Sequence, residues 1–245
     1  MGSQGDRYAG PGCMSAQGNH TGGFESWKGL QLQVGAQRVG GAGAVANGQP
    51  GVCEGLFHSV EGYISNACNE AAEMIELTAI RNIAEYLPTA VKNGSDLTAR
   101  TKVAFANTLS GYSMELSSCV SEHSMEHALS GHHHSLPHGA GLIMISVAYF
   151  TKWIEKHVCD DRFVDMAKAL GKTDASTPED FIDALKDLQK ACGVDDLKMS
   201  DYGITPDEFE TMAKDAKRTM LGLFLCDRFE MSDSDVVSIY RDSYR

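Results

Sequence analysis

The sequence has no apolar run close to the roughly 20 residues that a membrane-spanning helix needs. Its first residues also lack the basic start and apolar stretch of a secretory signal. The seven cysteines are odd in number, irregularly spaced and never form a CxxC pair. These absences argue against a membrane protein, a disulfide framework and a thiolate zinc site. We therefore expect a cytoplasmic protein with reduced, mostly buried thiols.

Positive charge is scarce as well. The chain carries 21 Lys and Arg against 33 Asp and Glu, and its net charge is −12. Residues 1–51 contribute +1 to that sum, so the acidic excess lies in residues 52–245. Nucleic acids and anionic lipids bind clustered Lys and Arg, which an acidic chain of this kind does not offer. We therefore expect neither a nucleic-acid partner nor a membrane partner.

Glycine divides the chain into two unlike parts, since 14 of the 25 glycines fall in residues 1–51. That segment shows no periodicity of large apolar residues, and glycine loses the most backbone entropy on folding. We expect residues 1–51 to be an irregular or disordered leader, or a segment translated in a wrong frame. The stretch GGAGAVANG superficially suggests a phosphate loop. No β-branched strand precedes it, however, and Pro50-Gly51 interrupts any helix that would follow.

From residue 52 onward the apolar residues recur at spacings of three and four, which is typical of helices. We predict a helix over 69–87 that ends at Pro88, and a second helix over 95–114 with Ser95 as its N-cap. Residues 141–154 are nearly all apolar, as in a helix that is buried on several sides.

Three later segments carry helix start and stop signals, at 176–193, 205–220 and 232–244. The first is predicted to be capped by Ser176 or Thr177 and closed by Gly193, the second opens at Thr205, and Ser232 caps the third. No segment after residue 52 reads as a strand. Residues 52–245 are therefore predicted to form an all-α domain of about eight helices.

Histidine is concentrated in one stretch, because six of the nine histidines lie within residues 121–141. Upstream, Glu54 and His58 are four residues apart, so on a helix their side chains share one face, and a carboxylate and an imidazole so placed can both reach one divalent metal. His127 is predicted near a helix end before Gly131, and His138 at the start of the next helix. A bend between these two helices would bring His138 back to His127.

Less specific interpretations are available for the same residues. An isolated histidine on a partly apolar helix is often a packed, hydrogen-bonded residue, and three consecutive histidines often form a solvated loop. Glu54 alone could be an ordinary surface carboxylate. Spacing alone therefore leaves open whether these side chains form a metal site.

The segment SEHSMEHALSGHHHSLPHGAGLIMIS resembles the signature of the iron-containing (group III) alcohol dehydrogenases. LFHSVEGYISN resembles the upstream metal-binding segment of that family, and DLTARTKVAFANTLSG resembles the helix between the two. GLFLCDRFEMSDSDVVSIYRDSYR is similar to the C-terminal end of the family. The resemblance covers about residues 52–245 in order.

The resemblance implies a dehydroquinate synthase-like helical domain with a divalent metal, usually iron(II) and sometimes zinc. By motif position its ligands would be Glu54, His58, His127 and His138, with Glu54 standing where the family has aspartate. A further active-site histidine would fall on His132 or His133. The α/β nucleotide-binding domain of the family would precede this region, and residues 1–51 show neither its phosphate turn nor its βαβ alternation.

The resemblance also implies a reaction. The metal would polarise the oxygen of a small alcohol or aldehyde, and a hydride would pass between the carbinol carbon and NAD or NADP. A non-ligand histidine would relay the proton. Members of the family commonly pair, so a homo-oligomer is possible. Because the nucleotide-binding domain is expected to be missing, the alternative hypothesis is a truncated, inactive helical module that binds metal or a partner.

Overall fold

The computed structural model describes residues 54–245, which form α-helices and two short 3-10 helices, with no strand in that range. This confirms the predicted all-helical class, whereas the prediction for the leader, residues 1–51, lies outside the described residues. The helices are α1 (Glu54–Ile64), α2 (Glu70–Lys92), α3 (Leu97–Leu116), α4 (Ser121–His132), α5 (His138–Glu155), α6 (Asp160–Ala169), α7 (Glu179–Cys192), α8 (Phe209–Phe224) and α9 (Asp233–Ser243). The 3-10 helices are Met199–Tyr202 and Pro206–Glu208.

Several helices begin at a side-chain cap. Asn69 Oδ1 accepts from the backbone N–H groups of the first turn of α2, and Ser232 Oγ accepts from Asp235 N at 3.1 Å at the start of α9. The prediction of Ser95 as the cap of α3 is wrong by one residue. Asp96 takes that place, and its Oδ1 accepts from Ala99 N at 2.9 Å. An aspartate cap also places a negative charge at the positive end of the helix dipole.

The prediction that α2 ends at Pro88 is also wrong, because the helix continues to Lys92 with Pro88 inside it. A proline inside a helix removes one backbone hydrogen bond and usually breaks the helix. Here Leu87 and Ala90, on either side of Pro88, are both buried in the core. Packing of the last turn of α2 therefore outweighs the local cost of the proline.

The start of α7 also differs from its prediction. The helix begins at Glu179, and neither Ser176 nor Thr177 caps it with a side chain. Instead, Asp180 Oδ2 accepts from the backbone N–H groups of Ser176 and Thr177 at 2.8 and 2.9 Å. The predicted end is confirmed, because Gly193 adopts the left-handed conformation with φ 68° that closes the helix.

The opening at Thr205 is confirmed in part. Thr205 N donates to Glu208 Oε2 at 2.8 Å, as in a capping box. The turn that this pair caps is the 3-10 helix Pro206–Glu208, and α8 follows directly from it.

Helix α5 lies at the centre of the core, as its apolar sequence predicts. Tyr149, Phe150 and Trp153 are fully buried, and α5 contacts α4, α7 and α9. The remaining large contacts pair α2 with α3, α4 with α8, and α1 with both α2 and α3. Helix α1 also contacts α5, and the predicted metal ligands lie on α1, on α4 and at the start of α5.

The other predictions from composition can be compared with residues 54–245. No helix in this range is both long and apolar enough to cross a lipid bilayer. The cysteines that the structure describes are all free thiols, and Cys119, Cys159 and Cys192 are buried. This confirms the expectation of mostly buried thiols for that part of the chain.

Candidate metal centre

Three helices bring the predicted ligands together. Glu54 and His58 lie one turn apart on α1, and His58 Nε2 is 3.9 Å from Glu54 Oε1. His138 is the first residue of α5, and its Nε2 is 3.8 Å from the same Glu54 oxygen. The expected shared face of Glu54 and His58 is confirmed. The carboxylate of Glu54 thus lies between two imidazoles from different helices.

The bend between α4 and α5 returns the chain as predicted. The ring centroids of His127 and His138 are 5.1 Å apart. Helix α4 ends at His132, one residue beyond Gly131, so the predicted helix end is off by one residue and His127 lies five residues before it.

Sequence reasoning left His123 without a role, but the structure places it in the centre of the cluster. Its ring stacks on that of His58 with centroids 4.6 Å apart and planes inclined by 18°. Its Nδ1 is hydrogen-bonded to Glu61, and its buried Nε2 has no hydrogen-bond partner among the described residues. The signal in the sequence was the spacing of four residues between His123 and His127, the same spacing as between Glu54 and His58.

His127 lies at the exposed edge of the cluster. Its Nδ1 contacts the sulfur of Met220 at 2.6 Å, and its ring is 6.2 Å from that of His123. Met220 itself has non-helical backbone angles, which kink α8 at this point. His127 therefore borders both the cluster and the solvent.

His132 and His133, the predicted further active-site histidines, are each hydrogen-bonded to a carboxylate. His132 Nε2 is 2.9 Å from Asp215 Oδ2, and His133 Nε2 is 3.1 Å from Glu208 Oε1. These pairs connect the C-terminal end of α4 to α8 and the 3-10 helix before it. The ring contacts of the cluster, by contrast, join His58, His123, His127 and His138.

Two buried carboxylates orient imidazoles of the cluster. Glu61, on α1, holds Nδ1 of His123, and Glu126, on α4, holds Nδ1 of His138. A carboxylate on one ring nitrogen of a histidine is the usual arrangement when the other nitrogen binds a metal. In both rings the second nitrogen, Nε2, is left for a ligand.

Burial dominates the electrostatics of the cluster. It lowers the pKa of His58 and His123 well below the usual range, and neighbouring histidines lower both further. It raises the pKa of Glu54, because a buried carboxylate loses its hydration. Burial also opposes protonation of His138, but the hydrogen bond and charge of Glu126 outweigh it, so its pKa is raised. Burial therefore favours the neutral form of His58 and His123, which is the form of an imidazole that binds a metal.

The donor chemistry fits a divalent transition metal. Imidazole nitrogens with a carboxylate oxygen suit iron(II) and zinc. Two sets of three side chains each have their potential ligand atoms within 4.8 Å of one another. One set is His58, Cys119 and His123, and the other is Glu126, His127 and His138. The partnerless Nε2 of His123 is the observation that supports a ligand most directly, since buried polar atoms are rarely left unpaired.

Comparison with known proteins identifies the same region. Residues 51–244 match the C-terminal part of the Fe-containing alcohol dehydrogenase family. Alcohol dehydrogenase 4 of Saccharomyces cerevisiae is 27% identical over 191 residues, which are 78% of this chain and 49% of that protein. The NAD-dependent methanol dehydrogenase of Bacillus methanolicus is 29% identical over 175 residues, covering 66% of this chain and 43% of that protein.

Comparison with solved structures also finds alcohol dehydrogenases of this family. The archaeal halo-thermophilic Red Sea brine pool alcohol dehydrogenase is 28% identical and superposes with a TM-score of 0.72, over 78% of this chain and 49% of that one. The chain thus spans about half the length of the relatives that it matches. Together with the helical fold and the histidine cluster, these matches show that the chain belongs to the iron-containing alcohol dehydrogenase family through its C-terminal domain.

Proposed function

We propose that this chain binds one divalent metal, iron(II) or zinc, and takes part in interconverting a small alcohol and its aldehyde or ketone with NAD or NADP. The observation that carries the proposal is the convergence of Glu54, His58 and His138 from two helices, beside the partnerless Nε2 of His123. The family supports the reaction, since its members named above are alcohol dehydrogenases.

The identity of the fourth ligand has two candidates. The family motif assigns it to His127, while the contacts favour His123, which is buried, stacked on His58 and oriented by Glu61. If His123 is the ligand, His127 remains free at the solvent edge. Comparing the metal affinity of His123→Ala with that of His127→Ala decides between them. The variant with the larger loss of metal affinity identifies the ligand.

A bound divalent cation would supply Lewis acidity at the alcohol oxygen, lowering the pKa of its hydroxyl proton. The side chains of this protein orient the imidazoles that would hold the cation. Glu61 and Glu126 hold the imidazoles of His123 and His138, and Glu54 places a negative charge beside them. This arrangement leaves the exposed side of the cluster open to a small substrate.

Proton transfer to solvent requires a histidine that is not a ligand. The resemblance assigns this role to His132 or His133, and we retain it as a proposal. Their carboxylate partners, Asp215 and Glu208, would hold each ring in one orientation. His127 is a further candidate because it lies at the solvent edge of the cluster, where partial burial of its ring lowers its pKa, so that the ring is neutral and accepts a proton.

The nicotinamide cofactor is proposed from the family, and NAD is named in the methanol dehydrogenase of Bacillus methanolicus. The test is to load the full chain with iron(II) without oxygen and to follow NADH or NADPH formation with short alcohols. We expect turnover that is abolished in His138→Ala and retained in His157→Asn. His157 is a suitable control because its exposed imidazole pairs with Asp160, away from the cluster. Absence of turnover in a chain with one bound metal would overturn the dehydrogenase proposal.

The second candidate is a helical module that binds metal without transferring hydride. It is favoured by the fact that every predicted ligand lies within residues 54–245, so metal binding requires no other part of a relative. This candidate predicts metal uptake by calorimetry and no change in melting temperature with saturating NAD or NADP. Stabilisation by either nucleotide would exclude it.

A further inference from the structure

Glu126 is a buried carboxylate that the motif resemblance leaves without a role. It lies on α4 between His123 and His127, and its side chain has no solvent exposure. Its Oε2 accepts a hydrogen bond from Nδ1 of His138, the first residue of α5. A buried carboxylate is costly unless it is paired, so this contact has to offset the desolvation of Glu126.

The space for this carboxylate exists because residue 141 is glycine. A Cβ atom built on Gly141 would lie 2.6 Å from both Cγ and Oε1 of Glu126, and 3.0 Å from its Cδ. Real Cβ atoms do not approach heavy atoms so closely, so any larger residue at 141 would displace the Glu126 side chain. Gly141 lies one helical turn after His138 on the same helix, α5. The contact between α4 and α5 is thus shaped around Glu126.

The hydrogen bond determines which ring nitrogen of His138 is available. With Nδ1 held by Glu126, the other nitrogen, Nε2, is directed toward Glu54 and lies 3.8 Å from its Oε1. A carboxylate on Nδ1 fixes both the tautomer and the ring plane of a histidine, and makes Nε2 a stronger donor to a metal.

We propose that Glu126 is the positioning residue of His138, and that Gly141 provides the space that lets it act. Glu126 keeps the proton of His138 on Nδ1 and presents Nε2 to the metal site. The inference rests on the proposed function, because His138 is proposed there as a metal ligand. It goes further because it assigns the positioning of His138 to two residues that are not ligands, Glu126 and Gly141.

The test is a double-mutant cycle in the full chain, with cobalt(II) as the probe metal. Glu126→Ala and Gly141→Ala are made singly and together, alongside Glu126→Gln. Cobalt affinity is measured by competition with a chromophoric chelator, and the visible cobalt spectrum reports the ligand set. Asp160→Asn is the matched control, because Asp160 accepts from Nδ1 of His157 at 2.9 Å on the exposed surface.

We expect Glu126→Ala and Gly141→Ala each to weaken cobalt binding about 10- to 100-fold, the usual effect of losing such an orienting group. The double variant should bind within about twofold of Glu126→Ala, because the added methyl group then meets no side chain. Glu126→Gln keeps the shape of the side chain but loses its charge, so its cobalt affinity should lie between those of wild type and Glu126→Ala. Asp160→Asn should match wild type.

A second readout does not depend on metal. Long-range proton–nitrogen NMR of the metal-free chain identifies the tautomer of each neutral histidine, and the His138 signals are assigned by their loss in His138→Gln. Wild type should carry the His138 proton on Nδ1, and Glu126→Ala should shift the ring toward a mixture of tautomers. An unchanged tautomer in Glu126→Ala would overturn the proposal.

The outcomes separate this inference from the proposed function. If wild type binds no divalent metal, both are overturned. If wild type binds cobalt and Glu126→Ala binds equally well, only the role of Glu126 is overturned. If Glu126→Gln changes the cobalt spectrum as strongly as His138→Ala does, Glu126 is itself a ligand and the positioning role is wrong. If the two single losses multiply in the double variant, Gly141 acts independently of Glu126.

Discussion

The carboxyl group of Glu61, on α1, is hydrogen-bonded to Nδ1 of His123, on α4, in the fully buried centre of the cluster. The other oxygen of Glu61 accepts from the backbone N–H of Val120 at 2.8 Å, where α4 begins. One side chain therefore orients a proposed ligand and also caps the helix that carries it. The carboxyl group of Glu61 also lies at the positive, N-terminal end of the dipole of α4.

Replacing Glu61 tests this double role. Glu61→Ala leaves a buried backbone N–H and a buried imidazole without their partner, so we expect the free energy of unfolding to fall by about 2–4 kcal/mol. Urea denaturation of the metal-free chain measures it. Glu155→Ala is the control, since it breaks only an exposed pair with Lys152, worth about 0–1 kcal/mol. Equal effects of the two substitutions would contradict the assigned role of Glu61.

Gly62 permits a close approach between three helices. A Cβ atom on Gly62 would collide with Glu76 Oε1, on α2, and with Ser113 Oγ, on α3, two atoms that are themselves hydrogen-bonded at 2.7 Å. We expect Gly62→Ala to lower the free energy of unfolding by about 1–3 kcal/mol through overpacking. Gly111→Ala, on α3, adds a methyl group that meets no atom within 4 Å, so it should be neutral or stabilising by up to about 1 kcal/mol. An unchanged free energy of unfolding in Gly62→Ala would contradict this prediction, because it would show that the helices can move apart there.

Glu76 predicts a dependence of stability on pH. Burial raises its pKa to about 7 in the folded chain, from an ordinary glutamate value of about 4.3. Between those two pH values the folded chain binds more protons than the unfolded chain, so this group makes stability fall as pH rises. Glu76→Gln does not titrate, and its stability relative to wild type should therefore increase from about pH 4 to pH 7 and then level off. Urea denaturation across that range measures the difference, and Glu85→Gln, an exposed carboxyl on the same helix, is the control. A stability difference between Glu76→Gln and wild type that stays constant with pH would contradict the raised pKa of Glu76.

Metal binding should stabilise the folded chain, because the proposed ligands converge only when α1, α4 and α5 are packed. At a free zinc concentration of 100 times its dissociation constant, the expected gain is about 2.7 kcal/mol. Calorimetric melting with zinc and with a chelator measures this gain, which should be lost in His58→Ala and kept in His157→Asn. Equal stabilisation of both variants would mean that zinc binds elsewhere.

Local sequence signals predicted much of the fold and part of the site. Ser232 and Gly193 were identified from capping chemistry that depends only on neighbouring residues. The shared face of Glu54 and His58 followed from helical spacing, and the return of His138 to His127 followed from the break between two helices.

The remaining features depend on contacts between distant segments. The continuation of α2 past Pro88 depends on core packing, and the capping of α4 by Glu61 joins residues 59 positions apart. His123 was missed because its stacking on His58 and its partnerless Nε2 exist only in the packed cluster. The fit of Glu126 against Gly141 is likewise a property of two packed helices.

The most direct test of the proposed site is an anomalous difference map from crystals of the chain loaded with zinc or, without oxygen, with iron(II). We expect one peak, about 2.0–2.2 Å from a carboxylate oxygen of Glu54 and from Nε2 of His58 and His138, with Nε2 of His123 as the favoured fourth ligand. A peak bound instead by Glu126, His127 and His138, or no peak in this cluster, would contradict this expectation.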